Sequence, residues 1–236
     1  MTNFKLKLIA ISTMFIDHLG LMLYVNIVDE MVIWYHPWAI YMRFIGRVAF
    51  PIFAFLTAQG CLYTRDIKKY AMRLGLFALI SQVPYAMVKQ DDLLEGINIF
   101  GTLMLSVLLI WGYQQFFEGR VLIKKIMYGL FFTGALWLAY YVQVDYGYKG
   151  VLGIFILYLV TKYSKRRLYT MLALVGMLFA IYGDSIFLLY GLISLVPIGL
   201  YNHKLGKKLR WVFYGFYPGH LLFLVVLRLV IMRNFY

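Results

Sequence analysis

Cysteine occurs once in these 236 residues, at Cys61, which excludes an internal disulfide and any metal cluster built on cysteine. Charge is scarce as well. Asp, Glu, Lys and Arg make up 14% of the chain, where a soluble domain carries about a quarter. Acidic residues are scarcest, ten against 23 basic ones. The four histidines, His18, His36, His203 and His220, stand singly without HxxxH or HxxE spacing, so no framework for metal catalysis is present. No Walker loop or dinucleotide fingerprint occurs. The N-terminal "MTNFKLKLIAISTMF" has the basic start and apolar run of a signal peptide. It lacks a small-residue cleavage site, and the polar pair Asp17–His18 interrupts the apolar region, so it reads as a retained first helix.

What the chain has instead is hydrophobic length. It is 63% hydrophobic with a mean hydropathy of +0.77, and apolar stretches of about 18–20 residues recur from end to end, as in membrane-spanning helices. Nine can be drawn, at 6–27, 38–63, 70–88, 98–116, 126–143, 148–161, 168–183, 185–200 and 211–232, the sixth to eighth being short. The pattern predicts an all-α polytopic membrane helix bundle of about nine spans, eight to ten, with residues 1–236 forming one domain in a lipid bilayer.

The segment ends alternate in charge. Lys5 and Lys7, "TRDIKKYAMR", "EGRVLIKK", "KYSKRR" and "NHKLGKKLR" together hold 17 of the 23 Lys and Arg residues. The intervening ends, "NIVDEMVIWYHP", "KQDDLLEG", "VDYGYKG" and "YGDS", hold most of the acids. Because cytoplasmic loops are enriched in Lys and Arg, the N-terminus is predicted to be cytoplasmic and the C-terminus external. The net charge of +13 is then read as topology signal and anionic-lipid contact, with no nucleic-acid partner.

Asp17, His18, Arg43, Arg47, His220 and Arg228 fall inside apolar segments. A charge at the bilayer centre costs at least about 2.5 kcal/mol, so such groups pair with one another or face a polar cavity. Depth can be counted at about 1.5 Å per helical residue. Asp17 then lies about 15 Å beyond Lys7, and His220 about 15 Å beyond Arg210. Running the opposite way from Trp38, Arg43 lies about 8 Å deep and Arg47 about 14 Å. An Asp17–Arg47 ion pair follows. Arg43 shares a helix face with Arg47, and Asp17 and His18, about 100° apart, can border one cavity without facing each other. The bland alternative is that these polar groups only hold helices together.

Pro51 in "RFIGRVAFPIFAF" removes a backbone hydrogen bond and exposes the Arg47 carbonyl, a kink tolerated where it lines a cavity. "ALISQVPYAM" (78–87) repeats the theme. Asn98 and Thr102 open the fourth segment, and Asp145 precedes the sixth, as a loop residue, a cap or a site member. His36 and His203 read as loop residues. Tyr and Trp near segment ends fit an interfacial belt.

"LKLIAISTMFIDHLG" (6–20), "RFIGRVAFPIFAFLTAQG" (43–60), "YAMRLGLFALISQVPY" (70–85), "DYGYKGVL" (145–152) and "YNHKLGKKLRWVFYGFYPGHLL" (201–222) together resemble the TraX family along nearly the whole chain. Two stretches depart from the family pattern: "NIFGT" stands where "NxFFT" is usual, and "YNH" where "YNG" is. The resemblance implies a bacterial inner-membrane protein of the F-pilin acetylation type, akin to transmembrane acyltransferases. It implies acetyl-CoA as donor substrate, and an exported peptide such as a pilin N-terminus, or a glycan, as acceptor. On that reading His18 is a general base or is briefly acylated, with Asp17 and His220 as further catalytic residues. Arg43, Arg47, Asn98 and Asp145 would bind substrate, and Lys204, Lys207, Lys208 and Arg210 would receive the CoA phosphates. Two other classes remain open. A proton-coupled transporter also places Asp, His and Arg at mid-membrane, although no inverted repeat of these motifs is present. A non-catalytic conjugation or envelope assembly factor needs no CoA at all.

Overall fold

The computed structural model describes residues 1–27, 36–118, 121–164, 166–207 and 209–235. Among them are eleven α-helices and no strand, apart from one isolated bridge between Ile97 and Val144. Six helical stretches are long and apolar enough to cross a membrane: Asn3–Leu23, Trp38–Tyr63, Ile67–Lys89, Ile99–Phe117, Leu122–Tyr141 and Trp211–Ile231. Large apolar side chains stand exposed on them, among them Leu79, Leu122 and Leu130. Water would penalise that surface and lipid would not, so the chain is a multi-pass membrane protein.

Every apolar segment of the sequence has its helix, with three refinements. The second is two helices, α2 (His36–Gly46) and α3 (Ala49–Tyr63). Pro51 has no N–H to return to Arg47, so the helix breaks one turn before it. The chain tightens there through i→i−3 bonds, Arg47 N–H to the Phe44 carbonyl and Val48 N–H to that of Ile45. Pro51 thus sits in the first turn of α3, where a missing N–H is tolerated. The fourth segment is α5 (Ile99–Gly112) ending in a π-turn at Tyr113–Phe117. The eighth is broken into α9 (Ile186–Leu192) and α10 (Leu195–Gly199). With α8 (Arg167–Tyr182) at about 24 Å and α9–α10 at about 21 Å, these pieces are shorter than a hydrocarbon core of about 30 Å. The remaining helices are α1 (Asn3–Ile27), α4 (Ile67–Lys89), α6 (Leu122–Tyr141), α7 (Gly147–Ser164) and α11 (Arg210–Phe235).

Contacts divide the chain into two compact units. The first comprises Met1–Phe53, Ile80–Leu93 and Asp184–Tyr236. Within it α1 and α11 run parallel. Phe4 meets Phe213 near their starts, with ring centroids 5.9 Å apart, and Phe15 meets Phe223 further along, at 6.4 Å. Both helices start from one knot, in which Asn3 and Phe4 donate backbone N–H to the carbonyls of Lys204 and Leu205. Helix α2 runs antiparallel to α1. A Cβ added at Gly20 would fall 2.6 Å from that of Met42, and such close backbone approach is what small residues provide between membrane helices.

The second unit comprises Ala54–Leu79 and Leu94–Gly183. Helices α7 and α8 are its most intimate pair, with Gly153 against Met177. One group of its buried polar side chains lies along the start of α5. Asn98 donates to the Ala78 carbonyl at 2.7 Å and caps α5 by accepting from Phe100 N–H. The hydroxyls of Thr102 and Ser106 donate to backbone carbonyls of Asp145 and Thr102.

Candidate functional site

Asp17 stands mid-way along α1, and its carboxylate is held by both arginines of α2 and the following break. Arg43 Nη1 donates to Oδ2 at 2.5 Å and Arg47 Nη2 to Oδ1 at 2.8 Å. Arg43 also reaches the Asp17 backbone carbonyl at 3.3 Å, and Arg47 Nε donates to the Arg43 carbonyl at 3.0 Å. The expected Asp17–Arg47 pair is present, and Arg43 joins it. Gly46 explains how. A Cβ there would lie 2.1 Å from Asp17 Oδ1 and 2.3 Å from its Cγ. Glycine lets the carboxylate sink against the α2 backbone, between guanidiniums one turn apart. The spacing R-x-x-G-R carries that signal, and reading it only as two arginines on one face misses the glycine between them. The Arg47 guanidinium also lies over the Phe187 ring of α9, 5.3 Å from its centroid, a cation–π contact. One carboxylate against two guanidiniums leaves these three side chains with a net charge of +1.

His18, the next residue, is rotated toward α11. Its Nδ1 lies 2.9 Å from Nε2 of His220, and both rings are buried. The proton positions follow from the partners. His220 Nδ1 is 2.8 Å from the Phe216 carbonyl, which only accepts, so His220 carries its proton on Nδ1. Its Nε2 is then an acceptor, and His18 must donate to it from Nδ1. Neutral His18 therefore keeps its lone pair on Nε2, and among the described residues no hydrogen bond occupies that atom. The arginine pair is clamped on Asp17, the residue that precedes His18 on α1. A basic nitrogen oriented by a second histidine, beside an arginine pair, can abstract a proton or attack a carbonyl while the arginines stabilise negative charge. The sequence places His220 opposite His18 by depth alone. The Phe216 carbonyl that fixes its tautomer leaves no trace there.

The other expected residues belong to other elements. Asn98 and Asp145 belong to the second unit and lie together, since Asp145 N–H donates to the Ile97 carbonyl at 2.8 Å. In the first unit, Lys204 and Lys207 are exposed on the loop before α11, and that loop is tied to the N-terminus as described. Lys208 lies outside the described residues, and Arg210 opens α11. His36 opens α2, and His203 is exposed against Tyr201, ring centroids 4.8 Å apart. Among the described residues no group of three His, Cys, Asp or Glu could hold a metal ion.

Comparison with known proteins places these features in a lineage. The family model described as TraX protein matches residues 3–228. The chain is also 28% identical over 242 residues, covering 92% of each sequence, to a protein of Dichelobacter nodosus named probable fimbrial assembly protein FimC, serogroup H1. No solved structure matches the chain.

Proposed function

The chain belongs to the TraX family, and from that premise we propose that it is a membrane acetyltransferase serving the assembly of a pilus, fimbria or other exported polymer. In this reading it crosses the cytoplasmic membrane about nine times with the N-terminus inside, as its alternating charge suggests. It moves an acetyl group from cytoplasmic acetyl-CoA to an amine or hydroxyl of an exported peptide or glycan. The observation that carries the proposal is the relay Phe216 carbonyl–His220–His18, which leaves a lone pair on His18 Nε2, on the residue that follows the arginine-clamped Asp17.

His18 Nε2 takes the proton of the acceptor as its nitrogen or oxygen attacks the thioester carbonyl. Charge developing on that oxygen is stabilised by Arg43 and Arg47, whose net +1 with Asp17 favours an anion. The C–S bond then breaks, and the imidazolium returns its proton to the departing CoA sulfur. His220 touches neither substrate in this scheme and acts as a positioning residue. Lys204, Lys207, Lys208 and Arg210 offer cations to the CoA phosphates at the end of α11 from which His220 is reached after ten residues, about 15 Å.

The test is binding of acetyl-CoA to the purified protein by calorimetry, together with release of CoA in the presence of acceptor. Wild type should bind saturably. His18→Gln should bind and fail to turn over. A folded wild-type protein that does not bind acetyl-CoA, or a fully active His18→Gln, would sink the proposal.

A further inference from the structure

A second feature of the first unit lies away from the histidines. A cavity of about 530 Å³ opens where the C-terminal end of α4 meets the later turns of α11. Its walls are mostly apolar, including Val83, Met87, Val225 and Leu229, and its polar members are Gln90, Asp91 and Arg228. Arg228 is eight residues beyond His220, about 12 Å further along α11 and about 27 Å from its start. That is the depth at which a hydrocarbon core gives way to headgroups.

The polar rim is built. Gln90 takes a left-handed conformation, φ 61°, and ends α4. Asp91 N–H then bonds back to the Ala86 carbonyl at 3.2 Å, the six-to-one closure of a Schellman cap. Arg228 Nη1 donates to the next carbonyl, that of Met87, at 3.3 Å. Gln82 holds the following loop by donating to the Leu93 carbonyl at 2.9 Å. Lys89 pairs with Oδ2 of Asp91, and its Oδ1 remains an acceptor. A fixed cation and a fixed anion thus share one rim above an apolar trough.

We propose that this cavity binds a phospholipid whose headgroup carries both a phosphate and a primary ammonium, of the phosphatidylethanolamine type. Arg228 faces the phosphate, Asp91 takes an ammonium hydrogen, and an acyl chain lies along Val83, Val225 and Leu229. The inference does not depend on acetyl transfer.

Native mass spectrometry of the full-length protein tests it, with phosphatidylethanolamine, phosphatidylglycerol and phosphatidylcholine of identical chains. The first should bind about tenfold more tightly than the other two, the gain expected of one charge-assisted hydrogen bond. Asp91→Asn should erase that preference and leave phosphatidylglycerol binding unchanged. Arg228→Gln should weaken both, and Val83→Trp, at an exposed wall position, should exclude all three without altering charge. Equal binding of the three lipids to wild type would overturn the proposal. So would a preference that survives in both Asp91→Asn and Val83→Trp, or chain-free phosphoethanolamine competing as well as the lipid. An apolar peptide with a free N-terminus that displaces the lipid and is lost in the same variants would assign the cavity to peptide instead.

Discussion

Two polar clusters, one in the first unit and one in the second, are bonded in opposite ways. In the second, Asn98 and the hydroxyls of Thr102 and Ser106 bond to backbone groups. Each is spent on fixing where helices start and meet. In the first, Asp17, Arg43, Arg47, His18 and His220 bond chiefly to one another. A backbone-bonded side chain improves the fold and gives up its chemistry. A cluster of ionisable side chains is expensive in a membrane and keeps proton and charge capacity in return. On the proposed function, the contrast separates a scaffold from the site of transfer.

The contrast can be broken most severely at Asp17. Asp17→Asn leaves two guanidiniums without their carboxylate, and removing one partner of a buried pair costs about 3–5 kcal/mol. Reversible unfolding in mixed micelles should show a loss of that order, and a triple variant that also replaces both arginines by methionine should regain much of it. Gly46→Ala should follow at about 1–3 kcal/mol, the range for overpacking, since the new Cβ meets Asp17 atoms. Asn98→Ala should lose about 1–2 kcal/mol through its cap and its bond to Ala78, read as a lower melting temperature. The smallest effect has the opposite sign. Gln90→Gly should stabilise the protein by about 1 kcal/mol, because glycine occupies φ 61° without the left-handed penalty. Unchanged stability there would mean that the α4 cap is not strained.

Much of the first unit is legible in the sequence because depth in a bilayer is a countable quantity. Ten residues from Lys7 to Asp17 and ten from Arg210 to His220 put both groups at one level, and they are found in one cluster. The same count sets Arg43 about 8 Å deep and matches only Arg47 to Asp17 as an ion pair. It treats 38–63 as one continuous helix and ignores side-chain reach, whereas α2 ends at Gly46 and lets the carboxylate approach its backbone. The number of spans is less legible, since short apolar pieces such as α9 and α10 carry helix signals without enough length to declare a crossing. The π-turn at Tyr113–Phe117 and the tautomer set by the Phe216 carbonyl have no sequence signal, because both depend on backbone geometry. Asn98 caps α5, and residue type alone does not distinguish a helix cap from a ligand contact.

The most direct test sets one residue of each unit against the other. Acetyl-CoA turnover should be measured for His18→Gln and Asn98→Ala, normalised to folded protein, with melting temperatures alongside. The account predicts that His18→Gln melts near wild type with turnover down by at least about 100-fold. Asn98→Ala should melt lower and turn over at the wild-type rate per folded molecule. The reverse pattern, with Asn98→Ala inactive but stable and His18→Gln active, would contradict the assignment of scaffold and site.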